Sequence, residues 1–366
     1  KSLLIGGFLM VIGQFTLALP HDILPFSVES LFYTGLAFLI AGNGLFKPNV
    51  STMVGDLYEN GDNRRDGAFT IFYMGINLGS LLAGVVSGSV TGLWGWKAGF
   101  AAAGIGMIIS LIIQSLFAQR FLGDIGVRPA AHIAKEKAEA KGASPTALSK
   151  IEIDRLKVIM VMGLFVIVFW AGFEQAGGLM NIYSQQYTDR MIGSFEVPAA
   201  WFQSLNPFFI ITFATLIAIL WVKLGPKEPS SPIKFALALF FLAIGFLCMV
   251  GAVMEQGGDL TIKTSMYWLV GAYFFHTLGE LCLSPIGLSL VTKLAPLRLA
   301  SLMMGAWFGF NAISNYIAGL VGSHVETLGA LDIFAGIAIT SAISGVLLLI
   351  ISGTLIRWMH GAEKAH

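Results

Sequence analysis

Charge is what this chain of 366 residues has least of: Asp, Glu, Lys and Arg together make up 12% of it, far below the roughly 25% of an ordinary soluble domain. A surface so poor in charge does not keep a chain of this length in water, which excludes a soluble globular protein. Neither sign dominates, since 22 Lys and Arg against 21 Asp and Glu leave a net charge of +1. No broad basic face is therefore on offer to nucleic acid. Cysteine is almost absent as well. Cys248 and Cys282 each lie inside a long apolar run, without the spacing of a metal site or a disulfide framework, and both read as packing residues.

Apolar residues, glycine and phenylalanine are abundant: 56% of the chain is hydrophobic, with 43 Gly and 28 Phe. A hydrocarbon core about 30 Å thick takes ~20 mostly apolar residues per helix. Ten such runs are present, near residues 2–20, 31–54, 68–91, 98–119, 157–183, 201–222, 233–254, 266–292, 299–322 and 330–358. Only helices and closed barrels satisfy their own backbone in lipid, and unbroken stretches such as Val346 to Ile351 lack the alternation of barrel strands. The fold class is an all-α polytopic membrane protein. With the first run starting inside, 18 of the 22 Lys and Arg fall on the cytoplasmic side, Lys97, Arg190 and Lys263 fall outside, and Lys47 lies within a span; basic residues in short loops are retained in the cytoplasm.

The longest polar stretch, residues 120–156, holds Pro129, Pro145 and the helix-favouring residues 131–140, and reads as a cytoplasmic linker. It separates a half with four runs, residues 1–119, from a half with six, residues 157–366. Transporters built from repeated halves are symmetric across such a linker, so the expectation is that two helices are missing at the front. A start at Lys1 without Met fits an N-terminally incomplete chain.

Three charged groups lie deep in the runs, Lys47, Glu174 and Glu280, together with the titratable His276. A charge at bilayer depth costs at least ~2.5 to 3.5 kcal/mol and normally faces a protein interior or a watery cavity. Lys47 has a snorkelling alternative, although it is about 8 residues, or ~12 Å of helix rise, from the cytoplasmic end. For the two carboxylates the alternative is a structural pair that locks the bundle. One cation and two carboxylates allow a Lys–Glu pair between the halves while a second carboxylate takes a proton. Trp170 precedes Glu174 by four residues, Ser284 follows Glu280 by four and Tyr73 precedes Asn77 by four, which puts each pair on one helix face. Core packing is the competing reading for the aromatic members. His276 and one Glu make an incomplete ligand set, so no metal is expected; a proton relay and a satisfied core histidine both stay open. Pro48, Pro207 and Pro285 follow Lys47, Asn206 and Ser284 and predict kinks beside the candidate sites. Gly75 with Gly79 and Gly305 with Gly309 predict close helix approach. No Ser-His-Asp, Cys-His or two-His constellation is present in the sequence, so no catalytic residue is assigned, and an intramembrane enzyme or a receptor is disfavoured.

The stretch Gly42-Asn-Gly-Leu-Phe-Lys-Pro-Asn49, the stretch Phe72 to Ser80, Phe169-Trp-Ala-Gly-Phe-Glu-Gln175, Gly279-Glu-Leu-Cys-Leu-Ser-Pro285, Lys293 to Pro296 and Ser301 to Trp307 resemble, in order, the motifs of the proton-dependent oligopeptide transporters, a branch of the major facilitator superfamily. The resemblance implies that the run at residues 2–20 is that family's third helix and that the first-helix Glu-x-x-Glu-Arg motif lies outside this sequence. Bacterial members commonly insert two helices between the halves, and the linker here holds no run long enough for them. Position by position, the resemblance implies that Lys47 faces the peptide carboxylate and pairs with Glu280. It implies that Glu280 with Asn206 receives the amino terminus, that Tyr73 and Asn77 hydrogen-bond the peptide backbone, and that Trp170, Ser284 and Trp307 shape side-chain pockets. Glu174 becomes the titrating carboxylate. The implied activity is symport of di- and tripeptides driven by a proton gradient, without a cofactor, by a monomer in the lipid of a bacterial inner membrane. A carrier of the same fold for nitrate, a drug-like molecule or an amino-acid conjugate is the runner-up.

Overall fold

A computed structural model describes residues 2–20, 26–56, 64–123, 148–296 and 299–362. The chain divides into two compact units, Lys1–Ser144 and Pro145–His366. The stretch 124–147, including the helix-favouring residues of the linker, and the side chains of Pro48 and Ser301 lie outside the described residues.

The first unit is built from α1 (Ser2–Ala18), α2 (Val28–Asp56), α3 (Arg64–Trp94) and α4 (Trp96–Leu122). α1 packs on α2 and α4, and α3 on α4. The α1–α2 contact is set by glycine. A Cβ added at Gly6 would stand 2.6 Å from the Gly42 carbonyl oxygen, one at Gly42 2.6 Å from the Gly6 carbonyl oxygen, and one at Gly13 2.8 Å from the Gly35 carbonyl oxygen. The two backbones therefore approach at two levels seven residues apart, a spacing that keeps a seam facing its partner along a helix. Among the described residues, nothing lies within 4 Å of such a Cβ at Gly75, Gly79, Gly305 or Gly309. Between α3 and α4 the chain turns on Gly95 alone, at φ +82°, a backbone conformation that costs glycine little and other residues much.

The second unit comprises α5 (Lys150–Phe173), a 3-10 turn (Glu174–Ala176), α6 (Leu179–Tyr187), α7 (Leu205–Leu224), α8 (Ser231–Glu255), α9 (Met266–Leu294), α10 (Ala300–Ser323) and α11 (Ala330–Trp358). α5 starts on a capping box: Ser149 Oγ accepts from the Glu152 N–H, and the Glu152 carboxylate accepts from the Ser149 N–H, which satisfies two donors that a helix start otherwise leaves bare. α8 packs on α9 and α11, α10 on α5, and α7 on α9. Phe169, Phe235, Phe246 and Phe334 are fully buried among them. α11 is apolar on every side, and the structure sorts its faces. Phe334, Ala338, Gly345 and Leu348 point inward, while Ile339, Ile343, Val346, Leu347 and Ile350 are exposed, as expected of a helix with lipid on one side. Beyond α6, Thr188–Asp189 pairs in parallel with Thr264–Ser265, and Met191–Ile192 forms a small hairpin with Phe195–Glu196.

Helices cover all ten runs expected from hydropathy. Among the described residues, eight helical segments are long and apolar enough to cross a membrane. The other two runs are α1, with 17 residues, and α10, which carries Asn311, Ser314 and Asn315. Two expectations change. The run at residues 157–183 is not one helix but is interrupted at the 3-10 turn Glu174–Ala176. Pro207 is the third residue of α7, where its missing N–H would have no partner in any case, so it opens the helix and kinks nothing. α2 and α9 both run on past Pro48 and Pro285.

The two ends of the second unit's helical chain are clasped together. The Asp154 carboxylate accepts from Lys157 Nζ at 3.0 Å and pairs with His360 Nε2 at 3.0 Å. Arg155 Nε donates to the Met359 carbonyl at 3.1 Å. His360, at φ +49°, is the described non-glycine residue with positive φ, so the clasp holds the backbone in a conformation that L-residues avoid. The buried Lys234 near the start of α8 is held by Glu228 and lies 4.8 Å from the centre of the Trp221 ring.

Gly6→Ala is expected to push α1 and α2 apart at a cost of about 1–3 kcal/mol, read as a lower unfolding temperature in detergent, whereas Gly75→Ala leaves that temperature unchanged. Asp154→Ala removes the carboxylate that Lys157 and His360 share, and the expected outcome is a lower unfolding temperature together with faster proteolysis of the C-terminal residues.

Candidate functional site

The second unit contributes a polar cluster where α7 meets α9. Glu280, 8% exposed, accepts a hydrogen bond at Oε2 from Asn206 Nδ2 at 2.8 Å. The same amide donates to Thr277 Oγ1 at 3.1 Å, and Thr277 in turn donates to the Tyr273 carbonyl at 2.7 Å. The local sequence explains the placement. Ala199–Ser204 forms a 3-10 turn that leads straight into α7, so Asn206 falls in the first helical turn with its amide directed at α9. Thr277 precedes Glu280 by three residues, which puts both on one helix face. A charge-assisted hydrogen bond of this kind contributes roughly 1.5–3 kcal/mol, and it holds a carboxylate ready inside a membrane helix.

Ser284, one turn further along α9, has a buried Oγ without a hydrogen-bond partner among the described residues. Trp307 is 4% exposed and packs against Phe235 and Phe310, with ring centres 6.3 and 6.4 Å apart. It stands over Gly287, where an added Cβ would come within 2.6 Å of its ring. Trp307 is thus a core residue of the second unit, as the competing reading for aromatic residues holds. Trp170 is half-buried and packs edge-on against Phe169 and Phe173. His276 is 1% exposed, lies between Phe246 and Phe173 with ring centres 4.7 and 6.2 Å away, and abuts Gly245. Its ring belongs to the packing against α8, and among the described residues no group of three His, Cys, Asp or Glu side chains gathers as a metal site would require.

Glu174 heads the 3-10 turn, half-buried, its N–H bonded to the Trp170 carbonyl. It lines a cleft of about 400 Å³ with Gln175, Leu179, Ile182 and, from α10, Asn315 and Gly319. The turn is held by neighbours that sequence reasoning missed. Gln175, 2% exposed, donates from Nε2 to the carbonyls of Ala171 at 3.2 Å and Ala318 at 2.9 Å. The Ala176 carbonyl accepts from Tyr273 Oη at 3.2 Å and from Gln203 Nε2 at 2.5 Å. The signal available for the break was the pair Gly177-Gly178 three residues after the charged Glu174.

In the first unit, Lys47 is exposed on α2. Asn77 is buried on α3 and donates from Nδ2 to the Tyr73 carbonyl at 2.9 Å, so the four-residue spacing of Tyr73 and Asn77 brings the two together on one face of that helix. Five of the expected residues, Trp170, Glu174, Asn206, Glu280 and Ser284, belong to the second unit along with Trp307, while Lys47, Tyr73 and Asn77 belong to the first.

The family described as the POT family matches this chain over residues 1–122 and 120–331. Among curated proteins, the chain is 34% identical over 403 residues to the uncharacterized transporter YclF of Bacillus subtilis, covering 97% of this chain and 79% of that one. It is 34% identical over 419 residues to the peptide transporter YePEPT of Yersinia enterocolitica, covering 98% and 80%. A di-/tripeptide transporter of Lactococcus lactis is 31% identical over 411 residues, covering 98% and 81%. Among solved structures, a peptide transporter POT in complex with sulfate superposes with a TM-score of 0.86 at 32% identity, over 98% of this chain and 80% of that one. A POT family transporter in complex with 5-aminolevulinic acid gives 0.85 at 27% identity, over 97% and 81%. With the motifs in order and the match extending over most of its length, the chain belongs to the POT family, the proton-dependent oligopeptide transporters of the major facilitator superfamily.

Proposed function

We propose that this chain carries di- and tripeptides across a bacterial inner membrane by proton-coupled symport, working by alternating access as a monomer in lipid, with the polar linker on the cytoplasmic side. The observation that carries the proposal is the Glu280 carboxylate, buried within a membrane helix yet held by the Asn206 amide, which also donates to Thr277. A zwitterionic peptide needs an anion for its ammonium end and a cation for its carboxylate end. Glu280 with Asn206 serves the first and Lys47 the second. Tyr73 and Asn77 read the peptide backbone, Asn77 through the amide oxygen that its bond to Tyr73 does not use. Trp170 and Ser284 border the peptide's side chains, the Ser284 hydroxyl finding in a bound peptide the partner its burial denies it, and Trp307 backs this wall from the core.

Glu174 takes the proton. It lines a cleft instead of being buried in the core, so water can reach it, and its place on a helix break lets a change of charge be felt by the segments on either side. An inward membrane potential supplies about 2.3 kcal/mol per charge per 100 mV, enough to bias states that differ by a few kcal/mol. Nothing in this scheme calls for a cofactor. The relatives' names support the peptide assignment: two of the most similar are called peptide or di-/tripeptide transporters. A second reading, a small zwitterion other than a peptide, is favoured by the related transporter solved with 5-aminolevulinic acid.

The test is uptake of labelled dialanine into liposomes under an imposed proton gradient, with 5-aminolevulinic acid as competitor. Wild-type protein is expected to accumulate dialanine. Lys47→Ala and Glu280→Ala abolish uptake, while Glu174→Gln abolishes gradient-driven uptake and retains counterflow. Asn206→Ala loses one charge-assisted hydrogen bond, and its KM is expected to rise roughly 10- to 100-fold. Absence of dialanine uptake by a folded wild type, with 5-aminolevulinic acid transported, would overturn the peptide assignment in favour of the second reading.

A further inference from the structure

A helix that stops inside a bilayer uncovers carbonyls that lipid cannot satisfy, and the interruption after Phe173 uncovers several at once. Gln175 answers this in an unusual way. Its single amide group donates both to Ala171, a carbonyl in the last turn of α5, and to Ala318, a carbonyl of α10. The side chain is almost wholly enclosed, its Oε1 lies 3.7 Å from where a Cβ on Gly322 would be, and it immediately follows Glu174 in the chain. The other two donors at the break, Tyr273 and Gln203, both converge on Ala176 instead. Gln175 is thus the donor that ties the residue next to Glu174 to α10, the helix whose Asn315 and Gly319 form the opposite wall of the Glu174 cleft.

We infer that Gln175 is a positioning residue for proton coupling: its amide bridge to Ala318 fixes the distance and aspect of the Glu174 carboxyl within its cleft, and so sets the pH at which that carboxyl gains and loses its proton. The inference rests on the reading that Glu174 titrates during transport. The groups facing the turn are distributed over every element around it. From α9 come Tyr273, whose hydroxyl reaches Ala176, and His276, whose ring lies against Phe173. From α10 come Asn315 and Gly319, from α6 Leu179 and Ile182, and from the turn before α7 Gln203. Asn315 of α10 and Gln203 of that turn do not titrate, and Leu179 and Ile182 of α6 are apolar, so these neighbours act on Glu174 through geometry and packing. The far end of α6 is fastened separately, by Tyr183 donating to Gln256 and Gln256 donating to the Ile262 carbonyl, so a change at Gln175 does not simply release the segment.

The test uses purified protein in liposomes, treated at a series of pH values with a hydrophobic carbodiimide, which adds to protonated carboxyls in apolar surroundings; adduct at Glu174 is measured by mass spectrometry. Gln175→Met keeps the size and removes both donors, and it is expected to move the midpoint of Glu174 labelling by about 0.5–1 pH unit while dialanine counterflow keeps its KM within about twofold. Tyr273→Phe and Gln203→Leu, which remove donors to Ala176 alone, are expected to leave the midpoint in place. Gln175→Glu regains a donor when protonated, so its gradient-driven uptake recovers toward acid pH, and this variant keeps the test open if the Met variant fails to fold. An unchanged midpoint in Gln175→Met, or an equal shift in Tyr273→Phe, overturns the inference while leaving proton coupling intact. A wild type whose Glu174 takes up no label at any pH, with gradient-driven uptake present, overturns the assignment of the proton to Glu174 and the inference with it.

Discussion

In hydrocarbon a backbone polar group finds its partner within the protein or goes without, and that requirement governs how this chain interrupts a membrane helix. The interruption between Phe173 and Leu179 is held by donors from three segments: Gln175 from the turn itself, to Ala171 and to Ala318 of α10, and Gln203 from the turn leading into α7 and Tyr273 from α9, both to Ala176. Each of these is polar in a place where a packing-only helix would carry leucine. The break in turn frees Glu174 from the regular helical surface and gives it a cleft. A charge in the membrane and an irregular backbone are usually treated as separate liabilities, and here one set of donors makes both tolerable.

The same logic separates the two carboxylates of the second unit. Glu280 lies on an uninterrupted helix, accepts a hydrogen bond from the Asn206 amide and is nearly enclosed, which suits a group whose charge is kept for a ligand. Glu174 is more open and stands on a local irregularity, which suits a group whose charge changes. Two residues of the same type thus stand in clearly different environments, which is how one kind of side chain comes to behave in two ways.

Much of this was legible in the sequence, for physical reasons that also mark where legibility ended. Bilayer thickness dictates run length, so the helices could be placed from hydropathy. Charge is so costly in a span that Glu174 and Glu280 stand out from their neighbours without any alignment. Asn206 joined Glu280 through the family motif, and the structure brings the pair together. Thr277 went unnoticed because a hydroxyl in a membrane helix ordinarily bonds its own backbone, which this one also does. The break at Glu174 was hidden because the runs on either side of it are apolar enough to read as one span and glycine is common in membrane helices. Trp307 looks the same in sequence whether it lines a cavity or fills a core, and its contacts with Phe235 and Gly287 come from parts of the chain distant from it. The glycine contacts were sought at a spacing of four, whereas the helices that touch use a spacing of seven.

Those contacts between α1 and α2 differ in kind from the rest of the machinery. Where the Gly6 and Gly42 backbones approach one another, what binds them is dispersion and the weak attraction of Cα–H groups for facing carbonyl oxygens, with no ionisable group and no dipole that must reorient. Neither acidification nor a change of voltage alters such a contact. A machine powered by protons and membrane potential therefore contains a joint to which both are invisible, and α1 and α2 can be carried through every charge state as one stiff element.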